Sequence, residues 1–247
     1  MIDPIEQFNI HKIFTIGHIG GHEIDFTNSS AYMFGSVALI SLLMIGAGKQ
    51  LVPGRIQSIA EITYEFVAST VRGNAGKEGM KFFPLVFSLF MFIAVSNIVG
   101  VIPYNFTVAS HLIITAVLAM IVFLTVLIYG LYKNGLKFFK IFVPSGVPIF
   151  VMPIVVPIEI LSFFLRPVSH SVRLFANMLA GHIALAVFAS FIPMLAGFGI
   201  AGYTGAVLPL GMVIALTALE LLVAFLQAYV FTILTVIYIN DALHPGH

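Results

Sequence analysis

The sequence contains no cysteine, which removes disulfide frameworks and thiolate chemistry from consideration. Charge is scarce as well: only 9% of the 247 residues are Asp, Glu, Lys or Arg. A soluble domain of this length needs far more ionisable surface. The formal net charge is +1, without the basic excess that a nucleic-acid partner demands. No P-loop, nucleophile elbow or dinucleotide fingerprint is present, so no cofactor and no covalent chemistry are expected. Residues 1–30 lack a basic segment followed by a short apolar run, so no cleavable signal peptide is expected and the first span serves as insertion signal. His18 and His22 have i,i+4 spacing, but Gly20 and Gly21 lie between them and no carboxylate completes a zinc motif. With His11 they are expected on a solvated surface. No internal repeat is visible.

What remains is apolar. Hydrophobic residues make up 60% of the chain, in continuous runs near or past the length that crosses a bilayer. Backbone groups in lipid must bond one another, which leaves helices or a closed barrel. Long unbroken runs, rather than short alternating ones, predict an all-α integral membrane protein.

A polar, outward-facing tail occupies 1–30, and the first span 31–47. After Pro53-Gly54, residues 54–75 read as an amphipathic surface helix, with Ile56, Ile59, Phe66, Val67 and Val71 on one face. A helical hairpin follows over 82–132, as spans at 82–102 and 109–131, the first closed by Pro103. Residues 138–157 are apolar but carry Pro144, Pro148, Pro153 and Pro157, which predicts kinked or re-entrant structure. Two long segments finish the chain, 154–192 and 205–241, with the glycine-rich stretch 196–205 between them. Each is about 55–60 Å long as a helix, against a hydrocarbon core of about 30 Å. They must tilt or bend, with Pro167 as the expected hinge, and are expected to form an antiparallel hairpin.

Lys49, Arg55, Arg72, Lys77 and Lys81 crowd one loop, and Lys133, Lys137 and Lys140 another. The positive-inside rule places both in the cytoplasm or its equivalent, giving about five crossings, an outer N-terminus and an inner C-terminus. Tyr32, Tyr104, Tyr129, Tyr132, Tyr203 and Tyr238 fall near span ends, as interfacial aromatics do.

The two long segments hold four ionisable groups besides histidine: Glu159, Arg166, Arg173 and Glu220, with Asp241 at their far end. Glu159, Arg166 and Asp241 can snorkel. Arg173 and Glu220 are deeper, where a charge costs several kcal/mol. Either they form a static ion pair or they work on ions. Glu159, Arg166, Arg173, Asn177, Ala180 and Ala184 fall within about 60° of one another on a helix. That stripe grades from charged to polar to small, and predicts close approach of a partner. Glu220, Gln227 and Asp241 share a face of the last segment. An antiparallel register sets Arg173 level with Gln227, His182 with Glu220 and Glu159 with Asp241. Groups so placed make proton relays. His182 points about 180° away from Arg173, which suits a channel beside the partner face and equally a buried structural histidine.

The run Arg166-Pro-Val-Ser-His-Ser-Val-Arg-Leu-Phe-Ala-Asn-Met-Leu-Ala-Gly-His182 closely resembles the signature of subunit a of F-type ATP synthases. The stretch from Glu220 through Leu226-Gln-Ala-Tyr229 to Asp241 resembles that family's last helix, and Asn97-Ile-Val-Gly-Val-Ile-Pro103 the end of its second span. The resemblance implies a non-catalytic stator subunit that carries protons to and from a rotor ring of c subunits. Arg173 resembles the stator arginine that faces the ring carboxylates, with Asn177 and Gln227 as polar neighbours. His182 and Glu220 resemble the outer half-channel, Glu159 and Asp241 the inner one. The order of His182 and Glu220 resembles mitochondrial and α-proteobacterial enzymes and favours protons over sodium. Gly100 stands where some bacterial relatives carry an acid and is assigned no channel role. Implied partners are the c ring, the peripheral-stalk b subunits, the F1 sector and lipid, in a bacterial or mitochondrial inner membrane. Two other readings stand beside this one. A stand-alone channel or secondary transporter would favour inverted repeats, and a membrane scaffold would use its charges only for stability.

Overall fold

In the computed structural model of the chain, residues 9–19, 22–48, 50, 52–102, 105–143, 148 and 150–244 are described. Gly20, Gly21, Lys49, Pro103, Tyr104 and Pro144, which entered the sequence reading, lie outside them.

The polar segment at the start contains a β-hairpin that the sequence reading did not anticipate. Strands β1 (Lys12–Ile19) and β2 (His22–Thr27) pair antiparallel. Phe14 lies opposite Phe26 with ring centroids 4.9 Å apart. Lys12 Nζ bridges the strands, 2.6 Å from Glu23 Oε2 and 2.8 Å from Asp25 Oδ1. That hydrogen bond from Lys12 holds the Asp25 carboxyl below the usual carboxylate range and raises the Lys12 ammonium in turn. His18 and His22 therefore sit on opposite strands rather than on one helical face.

Helix α1 (Asn28–Gly46) starts directly after β2, where Asn28 Oδ1 accepts from the backbone N–H of His11 at 3.1 Å and of Ser29 at 2.9 Å. Helix α2 (Arg55–Gly79) buries Ala60, Val67, Ala68, Val71 and Ala75, whereas Ile56 and Ile59 are more than half exposed. The face that packs inward is thus the small-residue face, since alanines allow closer approach than isoleucines. At Gly76 the backbone takes φ 63°, open to glycine without strain. The chain then passes through a short 3-10 turn into α3 (Phe83–Val101). Helix α4 (Leu112–Asn134) ends at Gly135, φ 54°, and a 3-10 stretch runs on to Phe142. Phe138, wholly buried, lies over Gly130, where an added Cβ would come within 2.2 Å of its ring.

Helices α5 (Met152–Ala196, 45 residues) and α6 (Ile200–Leu243, 44 residues) complete the chain. Residues 152–157 of the proline-rich connection are already helical, and α5 runs on through Pro167. A proline in the first turn costs little, because its missing N–H has no intrahelical partner there. The turn between α5 and α6 is also tighter than the glycine content suggested. Only 197–199 separate the helices, with Gly199 at φ 76°. Gly202 already belongs to α6, where an added Cβ would lie 2.0 Å from the Leu195 carbonyl oxygen. Its glycine permits contact rather than a loop.

Among the described residues, five helices are long and apolar enough to cross a membrane. Large apolar side chains such as Ile45, Ile113, Leu208 and Ile214 point outward, as lipid demands. The fold is that of an all-α integral membrane protein. The chain divides into two compact units, Met1–Ile40 with Phe92–His111 and Leu174–Gln227, and Ser41–Met91 with Leu112–Arg173 and Ala228–His247.

Candidate functional site

In the first unit a buried cluster forms around His182 of α5. His182 is 6% exposed, Glu220 of α6 is 5% and Thr107 is 1%. His182 Nδ1 is in direct contact with Glu220 Oε1, and its Nε2 with Thr107 Oγ1. The expected level match of His182 and Glu220 is therefore realised as contact. Two glycines make the cluster possible. An added Cβ at Gly181 would stand 2.8 Å from Glu220 Oε1, and one at Gly100 would stand 2.9 Å from Thr107 Cγ2. Gly100 thus provides space rather than an ionisable group, and its carbonyl accepts from Thr107 Oγ1 at 3.4 Å.

The Thr107 hydroxyl meets both the Gly100 carbonyl and His182 Nε2, so a hydroxyl, an imidazole and a carboxylate lie in one buried row. Imidazole and carboxylate are both acid–base groups.

Elsewhere in this unit Asn177 Nδ2 donates to Gln227 Oε1 at 2.8 Å. Asn97 is wholly buried on α3 and donates to the Ala224 carbonyl at 3.4 Å, while its Oδ1 has no partner among the described residues.

The second unit carries a different assembly. Arg166 Nη1 donates to Asp241 Oδ2 at 2.9 Å, and its guanidinium lies 4.7 Å from the Tyr238 ring centroid and 5.4 Å from that of Phe163. Asp241, expected level with Glu159, bonds Arg166, whose long guanidinium side chain reaches it. Tyr238, expected near a span end, thus lies against the Arg166 cation. His170, 4% exposed, places Nε2 3.3 Å from the Phe231 carbonyl oxygen, and its ring centroid is 4.1 Å from that of Phe231. Arg173, one turn further along α5, is exposed and makes no ion pair or hydrogen bond among the described residues. Glu159 is half-exposed, likewise with no ion pair among them.

Residues 30–240 match the family described as ATP synthase A chain. The chain belongs to that family. It is 80% identical to ATP synthase subunit a of Rhodopseudomonas palustris strain BisB18, over the full length of both chains. The corresponding subunit of strain BisA53 is 78% identical and that of Nitrobacter winogradskyi strain Nb-255 is 74% identical, again over the full length of both. Within the ATP synthase A chain family, the assemblies above are the candidate working parts of this chain. Sequence reasoning named Arg173, His182, Glu220, Asn177, Gln227, Glu159 and Asp241. It missed Thr107, His170 and the Arg166–Asp241 pairing. Thr107 gave no signal, lying in a connection with no periodicity. The signal for His170 was available: a histidine one turn before an intramembrane arginine is itself costly to bury.

Proposed function

We propose that the chain is the proton-translocating stator subunit of an F-type ATP synthase, non-catalytic itself, which couples proton flow to rotation of a c-subunit ring. The observation that carries this reading is Arg173. It is an always-charged guanidinium exposed on a long apolar helix, with no counter-ion among the described residues. A charge in lipid without a partner costs several kcal/mol, so its partner comes from outside the chain. The buried carboxylates of the rotor ring supply that partner. As each passes, attraction to Arg173 across a low-dielectric interface favours its ionised form and expels its proton. The same fixed positive charge bars a proton from passing straight between the two half-channels.

The His182–Glu220–Thr107 cluster serves as the outer half-channel's exchange site, because it sets two acid–base side chains in direct contact beside a buried hydroxyl. Asn177 and Gln227 hold the polar surface beside the arginine. Glu159 and Asp241 line the inner half-channel, where Arg166 holds Asp241 at 2.9 Å.

The membrane is the bacterial inner membrane, with the N-terminus periplasmic and the C-terminus cytoplasmic. Support comes from Lys133, whose ammonium contacts Glu78 Oε2 and lies 3.5 Å from the Leu243 carbonyl oxygen. Asn134 donates to the Ala242 carbonyl at 2.7 Å. Both basic loops and the end of α6 therefore share one side. Partners are the c ring, the b subunits of the peripheral stalk and, through the complex, the F1 sector. The scaffold reading needs an internal counter-ion for Arg173, and a stand-alone transporter leaves the exposed arginine without one.

The test is proton-driven ATP synthesis in membrane vesicles carrying Arg173→Ala, with complex assembly measured alongside. Synthesis lost in an assembled complex is the expected result. Synthesis at the wild-type rate would restore the structural reading of this residue.

A further inference from the structure

We propose that His170 is a positioning residue that sets the rotation of α5 about its own axis, so that Arg173 is presented outward. This rests on the stator reading of Arg173. The two residues are three apart, about 60° around the helix, yet one is 4% exposed and the other exposed. A roll of α5 by that angle would exchange their surroundings.

The tie that opposes such a roll is polar and directional. A carbonyl only accepts, so His170 Nε2 carries the proton and donates it to the Phe231 carbonyl at 3.3 Å. Its ring also packs against the rings of Phe231 and Tyr238, at 4.1 Å and 5.7 Å between centroids. Ser171 holds α4 instead, at 3.0 Å between its hydroxyl oxygen and that of Thr115, and Arg166 holds a side chain farther along α6, that of Asp241. Among the described residues, His170 is the side chain that bonds the α6 backbone within one turn of the arginine. Apolar packing there resists a roll as well, and the buried N–H adds a directional cost, since turning it off its acceptor leaves it unsatisfied. The neutral imidazole suffices. His170 donates a hydrogen bond and carries no proton along the path.

The test compares His170→Gln, which keeps an N–H donor, with His170→Leu, which keeps bulk and loses the donor. Both are measured in assembled complexes for ATP synthesis and for passive proton leak. The Gln variant is expected near the wild-type rate, and the Leu variant about tenfold lower, the effect of one lost buried hydrogen bond, with a raised leak. Should the Leu variant fail to assemble, a second reading uses the absence of native cysteine. A Thr115→Cys, Ser171→Cys pair oxidised in membranes cross-links α4 to α5. Its yield should fall when His170→Leu is added and hold when His170→Gln is added. A Gln variant as impaired as Leu would show that the imidazole itself is needed and overturn the proposal, as would a Leu variant with wild-type synthesis and cross-linking. Arg173→Ala vesicles run in parallel separate the two ideas. Loss of synthesis there beside a wild-type Leu variant sinks only the role of His170. Synthesis surviving there sinks the stator reading and this proposal together.

Discussion

The His182 cluster and the Arg166 assembly join the same two helices, yet they differ in burial and in chemistry. The first is almost wholly buried and pairs two groups that can each hold a proton. The second is a quarter exposed and pairs a carboxylate with a guanidinium that never loses its charge, the two side chains being 21% and 31% exposed. Both members of the first pair are acid–base groups, whereas one member of the second is a permanent cation. Under the proposed function, proton exchange draws on the former and a fixed field on the latter.

Between these two assemblies, the largest effect should come from Glu220→Gln. The amide keeps the shape but cannot take up the proton, so coupled synthesis in membrane vesicles should fall by at least about a hundredfold, as for loss of a positioned acid–base group. The exchanged pair, His182→Glu with Glu220→His, keeps one acid and one imidazole. It should regain a measurable part of that loss, and no recovery would show that geometry, not pairing, is decisive. Gly181→Ala probes the same cluster more gently, because its Cβ would press on Glu220 Oε1 from 2.8 Å. About 1–3 kcal/mol of overpacking is expected, seen as a lowered midpoint of thermal inactivation and slower synthesis.

Arg166→Ala should do less. The pair is partly solvated and screened, so stability is expected to fall by about 1 kcal/mol. Synthesis should be reduced but kept, and an effect as large as that of Glu220→Gln would erase the contrast drawn above. The smallest effect belongs to the hairpin. Asp25 is lowered, so its contribution is present above the carboxylate's ordinary value and is lost as pH falls through the lowered one. Lys12 is raised, so its contribution is present below its ordinary value of 10.5 and is lost as pH rises through the raised one. Amide exchange of the strands should therefore be slowest, after correction for intrinsic rates, across the neutral range. Lys12→Gln should flatten that dependence.

The helical membrane fold was legible because lipid allows few alternatives, and apolar runs of this length report it directly. The meeting of His182 with Glu220 was legible because two helices joined by a short turn keep a nearly constant register close to it. Farther along, the Arg166–Asp241 bond was not legible, because a long guanidinium side chain reaches an acid that is not opposite it. Thr107 lay hidden because it comes to His182 from 75 residues away, with no pattern of its own. The hairpin was passed over because its alternation is short, although a Gly-Gly dipeptide between strand-like runs is a turn signal. Along α2 the residues that pack inward were only partly legible: Val67 and Val71 of the apolar face are buried, and Ala60, Ala68 and Ala75 join them because small side chains allow close approach.

The central claim is that Arg173 is a fixed charge whose partner lies outside this chain and which keeps two proton paths apart. The most direct measurement is proton uptake driven by an imposed membrane potential, in vesicles holding assembled Arg173→Ala complexes without nucleotide. The account expects uptake above that of wild-type vesicles while ATP synthesis is absent. Uptake equal to wild type, with synthesis retained, would contradict it.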